Sequence, residues 1–297
     1  MHMKKRVVKL NPRWKERLGG AAFLGPSLTG VSIFFIIPFG VVFYYSLINN
    51  VVQHDFVWLD NFKAVFNNSA FQVAAKNTAT FSAISVPLAV AIALFMALML
   101  ECRIPLKSQF RTFFLSPLMV PVASIVLIWQ VLFHYNGVAN EILAVFGGGK
   151  IDWLKSQYAY LVVTLLFLWK NLGYNMILFM AALSNLPKDL LEVATIEGAS
   201  PAYKFFNVKL RYLSPTILFV TILSLINSFK IFREVYLLTG DYPTEHLYML
   251  QHFMNNMFRN LDYQRLAAAA IAMSIAMVLL IGILFIIENH FGKDVEG

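Results

Sequence analysis

The sequence predicts an all-α membrane protein with six transmembrane helices, and three observations support this fold class. Of its 297 residues, 59% are hydrophobic and only 13% are charged, whereas a soluble domain carries about 25% charged residues. Six stretches are long and apolar enough to cross a bilayer, which takes about 20 predominantly apolar residues. The basic residues between these stretches fall mainly on one side, which is typical of a protein oriented in a membrane.

The apolar stretches define the predicted spans, and polar segments separate them. The spans cover residues of about 19–47, 78–100, 113–133, 159–183, 214–238 and 266–288. Prolines lie in or near several span ends, where neighbouring helices can satisfy the backbone groups that proline leaves free. The chain therefore divides into a basic tail (1–18), one transmembrane domain (19–290) that includes a polar loop (184–212), and a short tail (291–297).

The distribution of lysine and arginine predicts the orientation. Seven basic residues precede the first apolar run, which is too long for a signal-peptide core and is interpreted as an uncleaved span. Fifteen basic residues lie on the side of the two termini and five on the opposite side, so both termini are predicted to be cytoplasmic. Because these residues are spread over separate loops, they favour contact with anionic membrane lipid and not with nucleic acid.

Several kinds of chemistry are excluded. The one cysteine, Cys102, can form neither an intrachain disulfide nor a zinc site. The six histidines are scattered, and none lies four residues from another to build a metal-binding face. The segment "FGGGK" (Phe146–Lys150) has the wrong spacing for a phosphate-binding loop. We therefore expect no enzyme activity, no metal and no cofactor on this chain, and ATP hydrolysis, if it drives transport, by another polypeptide.

The polar loop between the fourth and fifth spans is predicted to form a helix, a turn and a second helix. Asp189 suits the first turn of a helix, Gly198 suits the position after its end, and Ser200-Pro201 suits the start of the next helix. Such an amphipathic pair can lie on lipid or dock into a groove of a soluble partner. Glu192 and Glu197 fit poorly against an anionic leaflet and favour docking.

Polar residues inside the fourth and fifth spans have two interpretations. The candidates for a substrate pathway are Asn171, Tyr174, Asn175, Asn227 and Lys230. Arg233 and Glu234 follow Lys230 in the fifth span. They can form hydrogen bonds between helices or reach the membrane interface. They can also line a translocation pathway, since amides and phenols both donate to and accept from sugar hydroxyls. An acidic sugar would suit the two cations, Lys230 and Arg233.

The loop also carries a resemblance to a known family. The stretch from Glu192 to Pro215, "EVATIEGASPAYKFFNVKLRYLSP", resembles the signature loop of permease subunits of binding-protein-dependent ABC importers. The matching positions are Glu192, Ala194, Gly198, Ala199, Phe205 and Pro215. The flanking segments "LWKNLGYNMILFMAALSNLPKDLLEVA" and "FREVYLLTG" are similar to the carbohydrate branch, which includes maltose and glycerol-phosphate permeases.

This resemblance implies a function. It implies the type I ABC importer permease fold, in a bacterial inner membrane, with the loop docking on an ATPase through Glu192, Ala194, Glu197, Gly198, Ala199 and Phe205. The implied partners are a second permease, two ATPase subunits that hold ATP and Mg²⁺, and an extracytoplasmic binding protein that delivers a carbohydrate. A stand-alone channel or secondary carrier is the alternative.

The sequence departs from the family pattern at four places. Val193 replaces an alanine, Glu197 an aspartate, and Arg211 a proline, and "GDYP" stands where Gly-Gly-Pro is frequent. The first two changes are mild. The Arg211 change affects the exit from the loop, and the "GDYP" change affects the surface expected to meet the binding protein.

Overall fold

The protein is helical throughout the part of the chain that the structure describes. A computed structural model describes the backbone of residues 12–50, 52–101 and 107–292, and the side chains of 20–50, 52–101 and 107–290. Most of the basic N-terminal tail, Cys102, Arg103 and the residues from 293 onward lie outside this description. Within the described ranges no strand forms, and the one β-type pairing is an isolated bridge between Ile48 and Phe56.

Twelve helical segments occur in the described ranges, apart from a short 3-10 turn. In chain order they are α1 (residues 12–45), α2 (Asp60–Phe66), α3 (Ser69–Glu101), α4 (Lys107–Met119), α5 (Val122–Leu132), α6 (Val138–Val145), α7 (Ala159–Ser184), α8 (Lys188–Ile196), α9 (residues 201–212), α10 (Ser214–Thr239), α11 (Leu250–Arg259) and α12 (Tyr263–Gly292). Five of them, α1, α3, α7, α10 and α12, are long and apolar enough to cross a membrane.

The third predicted span differs from a simple helix. The sequence predicts one span over residues 113–133, but the chain bends by 103° between α4 and α5. Pro121 causes the break, because it has no backbone N–H and disfavours helical geometry at the residue before it. Its own backbone is extended, with φ −57° and ψ 139°. The described residues therefore contain five helices long and apolar enough to span a membrane, or six candidate spans if this bent pair crosses as one.

The fifth span is interrupted as well. Regular helix stops at Phe229, and it resumes at Phe232 after a turn at Lys230 and Ile231. This break lies inside an otherwise continuous apolar stretch, Ser214–Thr239. Side chains before and after it therefore do not keep the face that an unbroken helix would give them.

Helices α3, α7 and α10 form the centre of the bundle, and α4 packs on α7. Ala89, Ala93 and Ala97 recur at every fourth residue of α3 and are fully buried, a spacing of small residues that lets membrane helices approach closely. Gly173 of α7 lies so near α4 that a Cβ there would be 1.8 Å from the carbonyl oxygen of Phe114. In contrast, the apolar part of α1 has no buried residues, so α1 lies at the periphery.

Opposite ends of α7 carry two different structures. At its N-terminal end, the connection from α5 is organised by Asn140, whose buried amide donates to the carbonyl oxygens of Tyr135 and Ile151 and accepts from the N–H groups of Ile151 and Trp153. At the C-terminal end of α7, the chain enters α8 and α9 directly. The polar loop and the Asn140 connection therefore lie at opposite ends of the bundle.

Candidate functional sites

A polar centre joins the middle of α7 to the middle of α10. Asn227 Nδ2 donates to Asn171 Oδ1 at 2.9 Å, and Asn171 Nδ2 donates to the carbonyl of Phe167 at 2.7 Å. Asn171 lies about 18 Å from Ala159 and about 20 Å from Ser184, at a helical rise of about 1.5 Å per residue. Asn227 is equally central in its span. The pair therefore lies near the expected midplane of the membrane.

The polar centre also includes Tyr174 and Lys230. It presents unpaired hydrogen-bonding groups on the outside of the bundle. Tyr174 is 40% exposed, and Asn227 and Lys230 are exposed as well. In the part of the chain that the structure describes, neither the Tyr174 hydroxyl nor the Lys230 ammonium forms a hydrogen bond. These groups can donate to or accept from a polar ligand that lies beside the two helices.

Asn175 has a different environment from its predicted neighbours on α7. It is 1% exposed, and its Nδ2 donates to Ser224 Oγ of α10 at 2.9 Å. Ser82 and Ser228 form a second buried contact of this kind, with 2.7 Å between their hydroxyl oxygens. These hydrogen bonds hold α3, α7 and α10 together. Sequence reasoning missed both serine contacts, because a single serine in an apolar span gives no periodic signal.

An ion pair ties α7 to the outer part of α10. Lys170 Nζ contacts Glu234 Oε1, and the Glu234 side chain is only 3% exposed. In an unbroken helix, the i, i+3, i+7 spacing of Asn227, Lys230 and Glu234 would place all three on one face. The break at Lys230 and Ile231 instead turns Glu234 into the bundle while Lys230 remains outside.

The polar loop contains a complete glycine-terminated helix end. Gly198 follows α8 with a φ of +76°, a conformation that glycine adopts without steric cost. The N–H of Gly198 donates to the carbonyl of Thr195 at 3.1 Å, and the N–H of Ala199 donates to that of Ala194 at 2.9 Å. These two bonds form a Schellman motif. Ser200 then caps α9, because its Oγ accepts from the Tyr203 N–H at 3.2 Å.

Two side-chain contacts fix the loop to the ends of α3 and α7, and a third joins the two helices of the loop. Lys209 Nζ lies 2.7 Å from Glu101 Oε2 at the end of α3. The Tyr212 hydroxyl donates to the carbonyl of Asn185 at 3.0 Å. Within the loop, Lys204 Nζ donates to Thr195 Oγ1 at 3.0 Å and so joins α9 to α8. A force on α8 would therefore be passed to the ends of α3 and α7.

The outer face of the loop combines apolar and acidic side chains. Leu190, Val193 and Ile196 recur at every third residue of α8 and are 47%, 52% and 86% exposed. Glu192 and Glu197 are exposed beside them. Of the other candidate docking residues, Ala194 is buried toward the bundle, Gly198 is exposed, and Ala199 and Phe205 are half-buried. The exposed face of α8 therefore carries an apolar ridge, Leu190, Val193 and Ile196, with two acids beside it.

The two less conservative departures from the family pattern, Arg211 and "GDYP", each have a defined place in the structure. Arg211 lies within helix α9, so the helix continues to Tyr212 where a proline would interrupt it. In "GDYP", Gly240 ends α10 with a φ of +82°, and the Asp241 carboxylate pairs with Arg259 of α11. Arg259 also donates to the Tyr236 hydroxyl at 3.2 Å. Asp241 thus attaches α11 to the end of the fifth span.

A buried histidine, His252, belongs to α11, outside the spans. Met249 N–H donates to His252 Nδ1 at 3.3 Å, and the ring packs edge-on against Phe232 at 4.7 Å between centroids. Burial lowers the pKa of His252 to about 4, although the Asp241 carboxylate acts to raise it. His252 is therefore neutral at neutral pH. Among the described residues, no group of His, Cys, Asp and Glu side chains could hold a metal ion.

Comparison with known proteins identifies relatives that match nearly the whole chain. The trehalose/maltose transport system permease protein MalF of Thermococcus litoralis is 28% identical over 287 residues, which cover 95% of this chain and 97% of MalF. The sn-glycerol-3-phosphate transport system permease protein UgpA of Yersinia pseudotuberculosis is 30% identical over 272 residues, covering 90% of this chain and 91% of UgpA.

Solved structures with the same fold come from a bacterial alginate importer. A crystal structure of an ABC transporter that imports the acidic polysaccharide alginate contains a chain with a TM-score of 0.80 and 18% identity, covering 97% of this chain and all of that one. A second structure, of a bacterial alginate ABC transporter in complex with a periplasmic protein bound to alginate pentasaccharide, gives a TM-score of 0.79 and 19% identity, covering 95% of this chain and 96% of that one. The shared architecture is that of ABC transporter permeases.

A family model agrees with these matches. The model of the binding-protein-dependent transport system inner membrane component covers residues 89–297, which include α7, the polar loop and α10. The chain therefore belongs to this family of inner membrane components, as an ABC importer permease of the carbohydrate branch.

Proposed function

We propose that this chain is one of two permease subunits of an ATP-driven importer and lines the pathway of a carbohydrate delivered by a binding protein. MalF is named for trehalose and maltose transport, and an alginate transporter has been seen with a pentasaccharide-bound periplasmic protein. ATP is bound and hydrolysed with Mg²⁺ by two separate ATPase subunits, and this chain carries no cofactor. The assembly spans the bacterial inner membrane, with both termini of this chain in the cytoplasm.

The observation that carries this proposal is the exposed polar centre at mid-span. A charged group at mid-helix in lipid costs about 2.5–3.5 kcal/mol on insertion scales, so such groups usually face a cavity or another protein. Asn227, Tyr174 and Lys230 are exposed at this depth, where a second permease would cover them and leave a polar pathway between the two chains. Transporter sites typically lie near the bilayer midplane.

The polar loop supplies the coupling. Its ridge of Leu190, Val193 and Ile196 is exposed at the end of the bundle that the basic residues assign to the cytoplasm. Docked in an ATPase groove, the ridge would follow the movement of the ATPase. The contacts of Lys209 with Glu101 and of Tyr212 with Asn185 would carry this movement to α3 and α7. Closure of the ATPase pair then opens the pathway outward, and hydrolysis resets it.

Transport in reconstituted vesicles tests the proposal. The chain is reconstituted with its second permease, its ATPases and its binding protein, and sugar uptake is compared with and without ATP. Uptake is expected only with ATP and all four components, and an ATPase variant that binds but does not hydrolyse ATP should block it. Sugar flux through this chain alone without ATP would instead identify a channel or secondary carrier.

A further inference from the structure

Two exposed cations follow Asn227 of the polar centre along α10. Asn227, Lys230 and Arg233 follow one another at every third residue, and all three are exposed. The break in the span at Lys230 and Ile231 lies between Asn227 and Arg233, and each of the three side chains is exposed whereas Glu234 is buried.

The acid next to these cations in the sequence is already paired with another cation. Glu234 follows Arg233 directly, but its side chain is turned into the bundle and pairs with Lys170. Among the residues that the structure describes, neither Lys230 nor Arg233 forms an ion pair. The pairing of Lys170 with Glu234 therefore cancels one cation inside the bundle and leaves two positive charges on the outer face.

The position of these charges sets what can pair with them. Unpaired cations at membrane depth are costly and mark ion or substrate pathways. The exposed amide oxygen of Asn227 and the hydroxyl of Tyr174 lie on the inner side of Lys230 along the spans and suit sugar hydroxyls. Arg233 presents a planar fork of N–H donors that binds a carboxylate or phosphate through two parallel bonds.

We propose that the pathway takes an acidic sugar or oligosaccharide, whose carboxylate or phosphate is bound by Arg233 and Lys230 while its hydroxyls meet Asn227 and Tyr174. This assignment rests on the proposed function, because it requires this face to line the pathway. It predicts selection by charge in the permease itself, in addition to any selection by the binding protein.

A mixed-substrate uptake experiment tests the charge of the cargo. Vesicles that hold the complete importer and its binding protein are offered hydrolysates of pectin, alginate and starch together with sugar phosphates, and imported sugars are identified by mass spectrometry. Import of acidic sugars supports the proposal, and the uronate and phosphate arms distinguish the two anionic groups. Import of neutral sugars alone overturns it. Absence of any ATP-dependent import would contradict the proposed function itself, which separates the two failures.

Variants then test the two residues. Arg233→Gln and Lys230→Gln should each reduce uptake of the acidic sugar by about tenfold, as expected for loss of one charge-assisted contact, whereas Arg233→Lys should retain most of it. Lys76→Gln, which removes an exposed lysine near the outer end of α3, serves as the control and should leave uptake unchanged. Unchanged uptake in both glutamine variants overturns the proposal. Loss of the second permease when these variants are purified also overturns it, because the two cations would then pair with a carboxylate of that subunit.

Discussion

Single residues account for the geometry of the polar loop. Gly198 has a φ of +76°, and the two hydrogen bonds of its Schellman motif end α8 before Ser200 starts α9. The turn sets the angle between the two helices and so the position of the exposed ridge. Gly147 ends α6 in the same way, at the opposite end of α7. It has a φ of +77°, its N–H donates to the carbonyl of Ala144, and the N–H of Gly148 donates to the carbonyl of Leu143.

Gly198→Pro should uncouple the permease from its ATPases. Proline is fixed near a φ of −65° and cannot adopt the conformation that the turn requires. We expect normal insertion into the membrane but little ATPase subunit on co-purification and no substrate-stimulated ATP hydrolysis. Gly147→Pro imposes the same strain at the other end of α7 and should retain the ATPase subunits. Equal retention in both variants would rule out the docking role of the loop.

Tyr174→Phe removes one hydroxyl from the polar centre. If that hydroxyl binds sugar, its loss costs about 1 kcal/mol, which raises KM for uptake by about fivefold with assembly unchanged. Tyr158→Phe is a matched control, because Tyr158 is equally exposed, at 40%, but precedes the first residue of α7. An unchanged KM in Tyr174→Phe would remove Tyr174 from the pathway.

His252 gives the protein an acid-sensitive contact. Its folded pKa, about 4, lies below the ordinary value of about 6.5, so between these pH values the unfolded chain binds a proton that the folded chain does not. Stability should therefore be full above about pH 6.5 and decrease as the pH falls toward 4. His252→Gln should have a smaller fall in Tm from pH 7.5 to 4.5 in detergent. An equal fall in both proteins would contradict this assignment.

At the scale of elements, close helix contacts determine the bundle. Small residues let α3, α7 and α4 approach one another closely. They are Ala89, Ala93 and Ala97 of α3 and Gly173 of α7. Hydrogen bonds such as that between Asn175 and Ser224 then fix the rotation of α7 against α10. The exposure of Tyr174 on one side of α7 follows from the burial of Asn175 on the other.

Gly173→Ala should separate α4 from α7. The new methyl group would overlap the carbonyl of Phe114, which belongs to backbone and cannot move as a flexible side chain can. Overpacking of this kind costs about 1–3 kcal/mol or more, so Tm in detergent should fall by several degrees. Gly282→Ala in α12 is the control, since no atom lies within 4 Å of the added carbon, and its Tm should stay the same or rise. An unchanged Tm for Gly173→Ala would mean that the two helices are not in close contact.

At the scale of the whole molecule, hydropathy was sufficient to predict the fold class but not to predict which face of each helix is buried. The long apolar stretches predict α3, α7 and α10 because span length follows from bilayer thickness. The 103° bend between α4 and α5 does not follow from the presence of Pro121 in the sequence, because a proline in a span can be accommodated without a break.

The polar residues of the fifth span show the same limit of prediction from sequence. Lys230 and Glu234 are four residues apart and would share a face in a regular helix. The helix breaks at Lys230 and Ile231, where the sequence has neither glycine nor proline. The break leaves Lys230 exposed and Glu234 buried. Side-chain direction depends on neighbours distant in sequence, such as Lys170, and sequence periodicity does not contain that information.

The central claim concerns the whole molecule: the polar centre lines a pathway that ATP opens to one side at a time. The most direct measurement places a cysteine at Asn227 in a Cys102→Ser background and labels it with a membrane-impermeant thiol reagent added to either side of vesicles that contain the complete importer. We expect labelling from the cytoplasmic side without ATP and from the outer side when ATP and loaded binding protein are present. Labelling that is independent of ATP, or equal from both sides, would contradict the account.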